Sequence, residues 1–189
     1  MVALTIIMTS ISSAVGLVQS SITASRIGGS QIIAGNLARE GMEVVRSLRD
    51  SNWLRGESFE TGLIDASVKT GRPFFDRAQG LWTFQFTAAP MSPSDPLATL
   101  YLTQDGIYVH ADAPSGNDLA APYRRVVTLN HVCRHNATGV ERVETGDTAV
   151  CLLGVETLAA LDVISTVQWN GLTGRQRDTV AQERLYDWR

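Results

Sequence analysis

The chain changes its hydrophobic period twice, and those changes divide it. From Met1 to Ser25 there is no Asp, Glu, Lys, Arg or His, and Arg26 is the first charge. Within this run Val2–Val18 reads VALTIIMTSISSAVGLV, dense in Ile, Val, Leu, Ala and Met. A membrane-crossing helix needs roughly 20 apolar residues for about 30 Å of hydrocarbon. The run is long enough, although Thr5, Thr9, Ser10, Ser12 and Ser13 dilute it. Their hydroxyls can bond back to helix carbonyls or across to a neighbouring helix. A cleaved signal would begin with basic residues, and none precedes Val2. A buried core helix and a membrane or filament-core helix both fit the run, and the second fits better.

Gln19–Ser30 is small and polar, and Gly28-Gly29 predicts a kink or local break. From Gln31 the pattern is amphipathic: Ile33, Leu37, Gly41, Val44 and Leu48 form one packing face at helical spacing. Arg39, Glu43, Arg46 and Asp50 lie opposite, with Arg39/Glu43 and Glu43/Arg46 spaced for pairing. Asp50-Ser51-Asn52 and Gly56 predict the stop. A continuous helix over Val2–Asn52 would reach ~75 Å, longer than a small core needs for itself.

Beyond Trp53, a stretch punctuated by Gly56, Gly62, Gly71 and Pro73 predicts a loop-rich connection over 53–80. A β-rich domain is expected over 81–189. Leu81–Thr87 alternates like a half-buried strand, and Pro90, Pro93 and Pro96 end it. Asp105-Gly106 inside Leu100–Val109 predicts a hairpin. Arg125–Val132 and Leu161–Trp169 are further strands, and Thr179–Trp188 is a returning strand or a short closing helix. The expectation is α+β by segregation: a long hydrophobic-then-amphipathic helix (1–25 apolar, 31–52 amphipathic), then an antiparallel sheet of four to six strands.

Composition adds little. The 189 residues are 44% hydrophobic and 19% charged with net charge −3, which suits a folded chain and points to no nucleic-acid partner. The basic residues are nearly all Arg, with Lys69 the sole Lys, and Arg124-Arg125 is only a pair. Catalytic motifs of the Walker, G-x-S-x-G, H-E-x-x-H and G-x-G-x-x-G types are absent. His110, Asp112 and Ser115 include acyl-transfer residue types but sit in an Ala-Pro-Ser-Gly loop, and no cofactor is expected. Trp53, Trp82, Trp169, Trp188, Phe74, Phe75, Phe84 and Phe86 read as core and hinge packing. Asn136-Ala137-Thr138 fits a glycosylation sequon.

Cys133 and Cys151 are the only cysteines. Paired, they would close a loop of about 18 residues and add ~3 kcal/mol; an exported domain would favour that pairing. Two unpaired buried thiols are the alternative. A zinc site on Cys133, His131 and His135 matches no standard spacing and needs a fourth ligand.

Three segments carry a family resemblance. VALTIIMTSISSAVGLVQSS is similar to the interior of a prepilin N-terminal helix. LAREGMEVVRSLRDSNW resembles the amphipathic continuation of that helix in many pilin-like proteins, and VQWNGLTGRQRDTVAQERLYDW resembles their last hairpin. Together they cover most of the first 53 residues and some 25 at the C-terminus of a type IV pilin or pseudopilin. The family's N-terminal processing motif, a Gly followed by an aromatic-led stretch with an early Glu, is absent: Met1-Val2-Ala3-Leu4 resembles a point already inside it. The favoured expectation is a true start farther upstream.

The resemblance implies a non-enzymatic subunit of a type IV pilus or type II secretion pseudopilus. It would be a single-pass protein of the inner (cytoplasmic) membrane with its C-terminal domain extracytoplasmic, and a surface filament after assembly. The implied partners are other pilin-like subunits, the membrane and the assembly platform. The alternative is a signal-anchored extracytoplasmic binding module that never polymerises.

Overall fold

A computed structural model describes residues 2–111, 114, 116–171 and 174–187. Its fold is α+β: one long N-terminal helix followed by an antiparallel sheet. Helix α1 spans Val2–Arg55, 54 residues, or about 80 Å at 1.5 Å per residue. It contains no proline, and it runs unbroken through Gly28-Gly29, where a kink was expected. Each glycine costs helix stability by about 1 kcal/mol, but propagation from the ordered turns on both sides carries the helix across. The end lies three residues beyond the expected Asn52. Gly56 adopts φ 75°, the Gly56 amide donates to Trp53 O and the Glu57 amide to Asn52 O, which together make a Schellman cap. The Asn52 side-chain amide then donates to Phe59 O and Thr61 O (3.2 and 2.8 Å) and holds the reversing chain against the helix.

Eight strands form the sheet: β1 Thr70–Asp76, β2 Leu81–Phe86, β3 Thr99–Leu102, β4 Tyr108–His110, β5 Leu119–His135, β6 Glu141–Glu144, β7 Glu156–Asn170 and β8 Gln176–Tyr186. Strand β5 is the axis. Strand β7 pairs along nearly all of one edge, while β3, β1 and β6 share the other. Strand β8 pairs outside β7, β2 outside β1 and β4 outside β3. The β3–β4 hairpin turns at Gly106 with φ 80°, where Asp105-Gly106 predicted it. Thr179–Trp188 resolves as a strand from Gln176, with Trp188 outside the described residues.

Four to six strands were expected, and two of the eight went unseen. Strand β1 lies inside the expected loop-rich connection, so the sheet begins at Thr70 and not at 81. Its Gly71 and Pro73 read as breakers, yet both are accommodated. A Cβ on Gly71 would meet Gln85 O at 2.4 Å and the Phe84 ring at 2.6 Å. Pro73 lies beyond the two residues, Thr70 and Gly71, that pair with β5, so one edge is open where its N–H is missing. Strand β6, ERVE, has no apolar alternation, and only its pairing with His131–Arg134 makes it a strand.

Helix α1 covers one sheet face. Val127 and Leu129 of β5 and Leu161 and Val163 of β7 alternate toward it and join Val45, Phe59 and Leu185 in one core cluster. Ala34, Leu37 and Ala38 meet Leu100, Tyr123, Val167 and Trp169 in a second. On the opposite face Val126 packs under Met91 and Ala98.

Of the expected helix face, Leu37, Gly41 and Val44 are buried, and Leu48 is half-buried against the first cluster. Ile33 is not part of it, being 38% exposed, and Ala34 makes the first contact instead. Eight residues of helix turn Ile33 by about 80° away from Gly41, so the +4, +4 steps drift off the sheet. Ala34, Ala38, Gly41, Val45, Arg49 and Asn52 keep to the contact line.

Candidate functional site

The described side chains of residues 2–26 of α1 are all exposed. Val2, Ile6, Ile7, Met8, Ile11, Val15, Leu17, Val18 and Ile22 are each between 49 and 74% exposed. The helix is long and apolar enough to cross a membrane. Four of its hydroxyls bond back to their own backbone: Thr5 Oγ1 donates to Val2 O (2.7 Å), Thr9 to Thr5 O (3.0 Å), Ser10 to Ile6 O (2.8 Å) and Ser13 to Thr9 O (2.8 Å). Such bonds lower the cost of placing a hydroxyl in an apolar medium. An arm of this kind suits lipid, or the surface of a second helix.

Where the arm meets the domain, the seam is polar as well as apolar. Arg125, fully buried under the helix, donates through Nη1 to Leu37 O (3.0 Å) and pairs with Glu40 at 3.3 Å. Its Nε donates to His110 Nε2 at 3.4 Å. Arg46 bridges Glu43 on its own helix and Glu183 on β8. Arg49 stacks over Trp53 at 4.5 Å. None of the buried Arg125, Arg72, Lys69 and His110 was picked out as a core residue. The one available signal was that Arg125 stands in an apolar strand in phase with Val127 and Leu129.

The other sequence candidates fall in separate places. His110 is buried, while Asp112 and Ser115 lie outside the described residues. A disulfide joins Cys133 to Cys151 across a Cα separation of 5.3 Å, and this removes Cys133 from any zinc set. Among the described residues no group of three His, Cys, Asp or Glu could hold a metal ion. His131 is buried beside Lys69, whereas the His135 ring accepts from the Ala137 and Thr138 amides in the exposed turn that contains the sequon. Trp169 is core; Trp53 and Trp82 are half-buried, Trp82 against Phe75 with ring centroids 5.1 Å apart. Phe84 lies edge-on to Phe86 at 4.9 Å, and Phe74 lies under the Arg72 guanidinium at 5.7 Å.

Burial, with Lys69 adding its charge, holds the His131 pKa down to about 4. Burial, then Arg125 and Arg72, pushes His110 well below the usual value for histidine. An unfolded chain protonates both rings as pH falls through about 6.5, whereas the fold keeps them neutral. Stability is therefore full above 6.5 and declines as pH drops toward 4. Urea midpoints between pH 7 and pH 5 should fall, losing roughly 1 kcal/mol per pH unit for each histidine once below 6.5. A flat profile across that range would show both rings to be protonated in the folded domain.

In comparisons with known proteins, no family model, curated protein or solved structure matches the chain.

Proposed function

We propose that this protein is a non-enzymatic, pilin-like subunit of a type IV pilus or type II secretion pseudopilus. The observation that carries the reading is one helix with two surfaces: an exposed apolar arm of some 25 residues, continuous with a half that docks the sheet. In this reading the arm stores the subunit in the inner membrane as a single span, with the sheet domain extracytoplasmic. Every backbone group of a helix is bonded internally, so storage costs little. On assembly the same arm packs against other arms, where Gly16, Ala14 and the serines permit close approach. One repeated head-to-tail contact yields an open helical filament that displays the sheet domain at the cell surface.

Two measurements on the full chain in bacterial membranes test this. The chain should resist salt extraction and require detergent, and Ile11→Arg should shift it toward the soluble or aggregated fraction, because an arginine at mid-membrane depth costs about 3 kcal/mol. A photo-activated cross-linking residue in place of Ile11, which reacts with whatever side chain faces it, should link copies to one another. Detergent-dependent chains that stay strictly monomeric would instead identify a membrane-anchored binding module, and salt-extractable chains would end both readings.

A further inference from the structure

Beside the docked half of α1 lies a groove of about 410 Å³, between the helix and the β1–β2 and β3–β4 hairpins. Val44, Phe75, Trp82 and Ile107 line it, and Glu40 and Glu43 stand on its helix wall. Ile107 is 51% exposed at its mouth. The charged residues that line it are both acidic, Glu40 and Glu43, and their guanidinium partners Arg46 and Arg125 lie outside the lining. Glu43 remains 59% exposed despite its pairing.

The complementary surface is on the same chain. Arg26 is the sole charge before Arg39. Ile22, Arg26, Gly29 and Ile33 are spaced 4, 3 and 4 apart, which places them on one helix face. All four are exposed, Ile33 least at 38%, and a Cβ on Gly29 would meet nothing within 4 Å, so among the described residues this face is largely uncovered. The stripe is an apolar ridge with one positive charge, and the groove is an apolar trough with two carboxylates on its helix wall.

Resting on the filament reading, we propose that the groove receives the Ile22–Ile33 stripe of a second copy, with Arg26 seated against Glu40 and Glu43. The two halves cannot meet within one chain, because 17 residues of unbroken helix hold Arg26 about 26 Å from Glu43. The contact is therefore heterologous and repeats with a fixed axial stagger. It also gives exposed Ile33 a role that the subunit's own core does not.

The test uses the full chain in membranes. Arg26→Cys combined with Glu43→Cys should, on mild oxidation, link copies into a ladder beyond dimers, while either single variant stays monomeric. Glu43→Arg should lower the yield of the Ile11 photo-link at least about five-fold, and Arg26→Glu in the same chain should restore it. Both positions are exposed, so these variants keep the fold. Should the Ile11 photo-link persist in Glu43→Arg while no 26–43 link forms, the groove assignment is wrong and the filament reading survives. Loss of every link in every variant overturns both. A link from position 43 to a different protein assigns the groove to that partner and overturns the self-contact.

Discussion

Leucine in place of Gly41 should undock α1 from the sheet, at a cost of about 3 kcal/mol or more. A Cβ at this position would lie 2.6 Å from Ser165 Oγ, 3.2 Å from Arg125 Cδ and 3.3 Å from Val127 Cγ2. All three residues are fully buried, on strands fixed by β5–β7 pairing, so none has space to retreat. Helix propensity acts in the opposite direction, since replacing a mid-helix glycine gains up to about 1 kcal/mol. The size of the clash decides the sign. Gly35 provides the control: nothing lies within 4 Å of its Cβ direction, so Gly35→Ala should stabilise by about 0.5–1 kcal/mol. Chemical unfolding in detergent, followed by tryptophan fluorescence from Trp53 and Trp169, separates the two. A Gly41→Leu protein within 1 kcal/mol of the parent would mean that helix and sheet are not in close contact there. Since the docked half aims the arm, undocking should also abolish any ordered assembly.

Opening the Cys133–Cys151 bond is the second large effect. The two residues are 18 apart, and the chain-entropy model gives about 3 kcal/mol for a loop of that length. For a protein of this size that corresponds to a melting temperature lower by roughly 6–12 °C. Cys133 is fully buried in β5, while the segment leading to Cys151 makes few contacts of its own. After Cys151 the chain is also held by Glu156, which accepts from the Arg142 guanidinium at 2.6 and 2.8 Å and from the Leu152 amide at 2.9 Å. Those hydrogen bonds, Arg142 first, hold the Glu156 pKa down to about 2. The paired alanine variant should therefore lose the 145–151 segment first and keep the β7 end of the turn. Calorimetry with and without reductant checks this. A melting temperature unchanged within 2 °C would show the unfolded chain to be equally restricted without the bond.

Particular residues show what pattern alone reveals. The charge-free run and the 3.6-residue spacing after Gln31 identified one long helix, because helical periodicity is local and needs no partner. Asp105-Gly106 and the alternation in 81–87, 125–132 and 161–169 identified hairpin and strands for the same reason. Strand β6, by contrast, carries Glu141, Arg142 and Glu144 and has no apolar face of its own; its neighbour β5 makes it a strand. Pro73 and Gly71 looked like loop residues because their tolerance depends on an open edge and on a close-packed ring. Arg125 looked like one half of a surface pair, but lies under the helix with Leu37 O, Glu40 and His110 as partners.

The sequence by itself determined the division of labour: a helix with an apolar, uncharged half and an amphipathic half, then an antiparallel sheet. Those features arise from hydrophobic period and turn chemistry, which act over a few residues. Only the tertiary structure decided which side of α1 meets the sheet and that Ile33 is left facing outward. It also placed Glu40 and Glu43 on one wall of a groove whose other walls come from residues about 30 to 70 positions away. Such pairings depend on strand register and on the angle at which a helix crosses a sheet, and neither is encoded in any short stretch of chain.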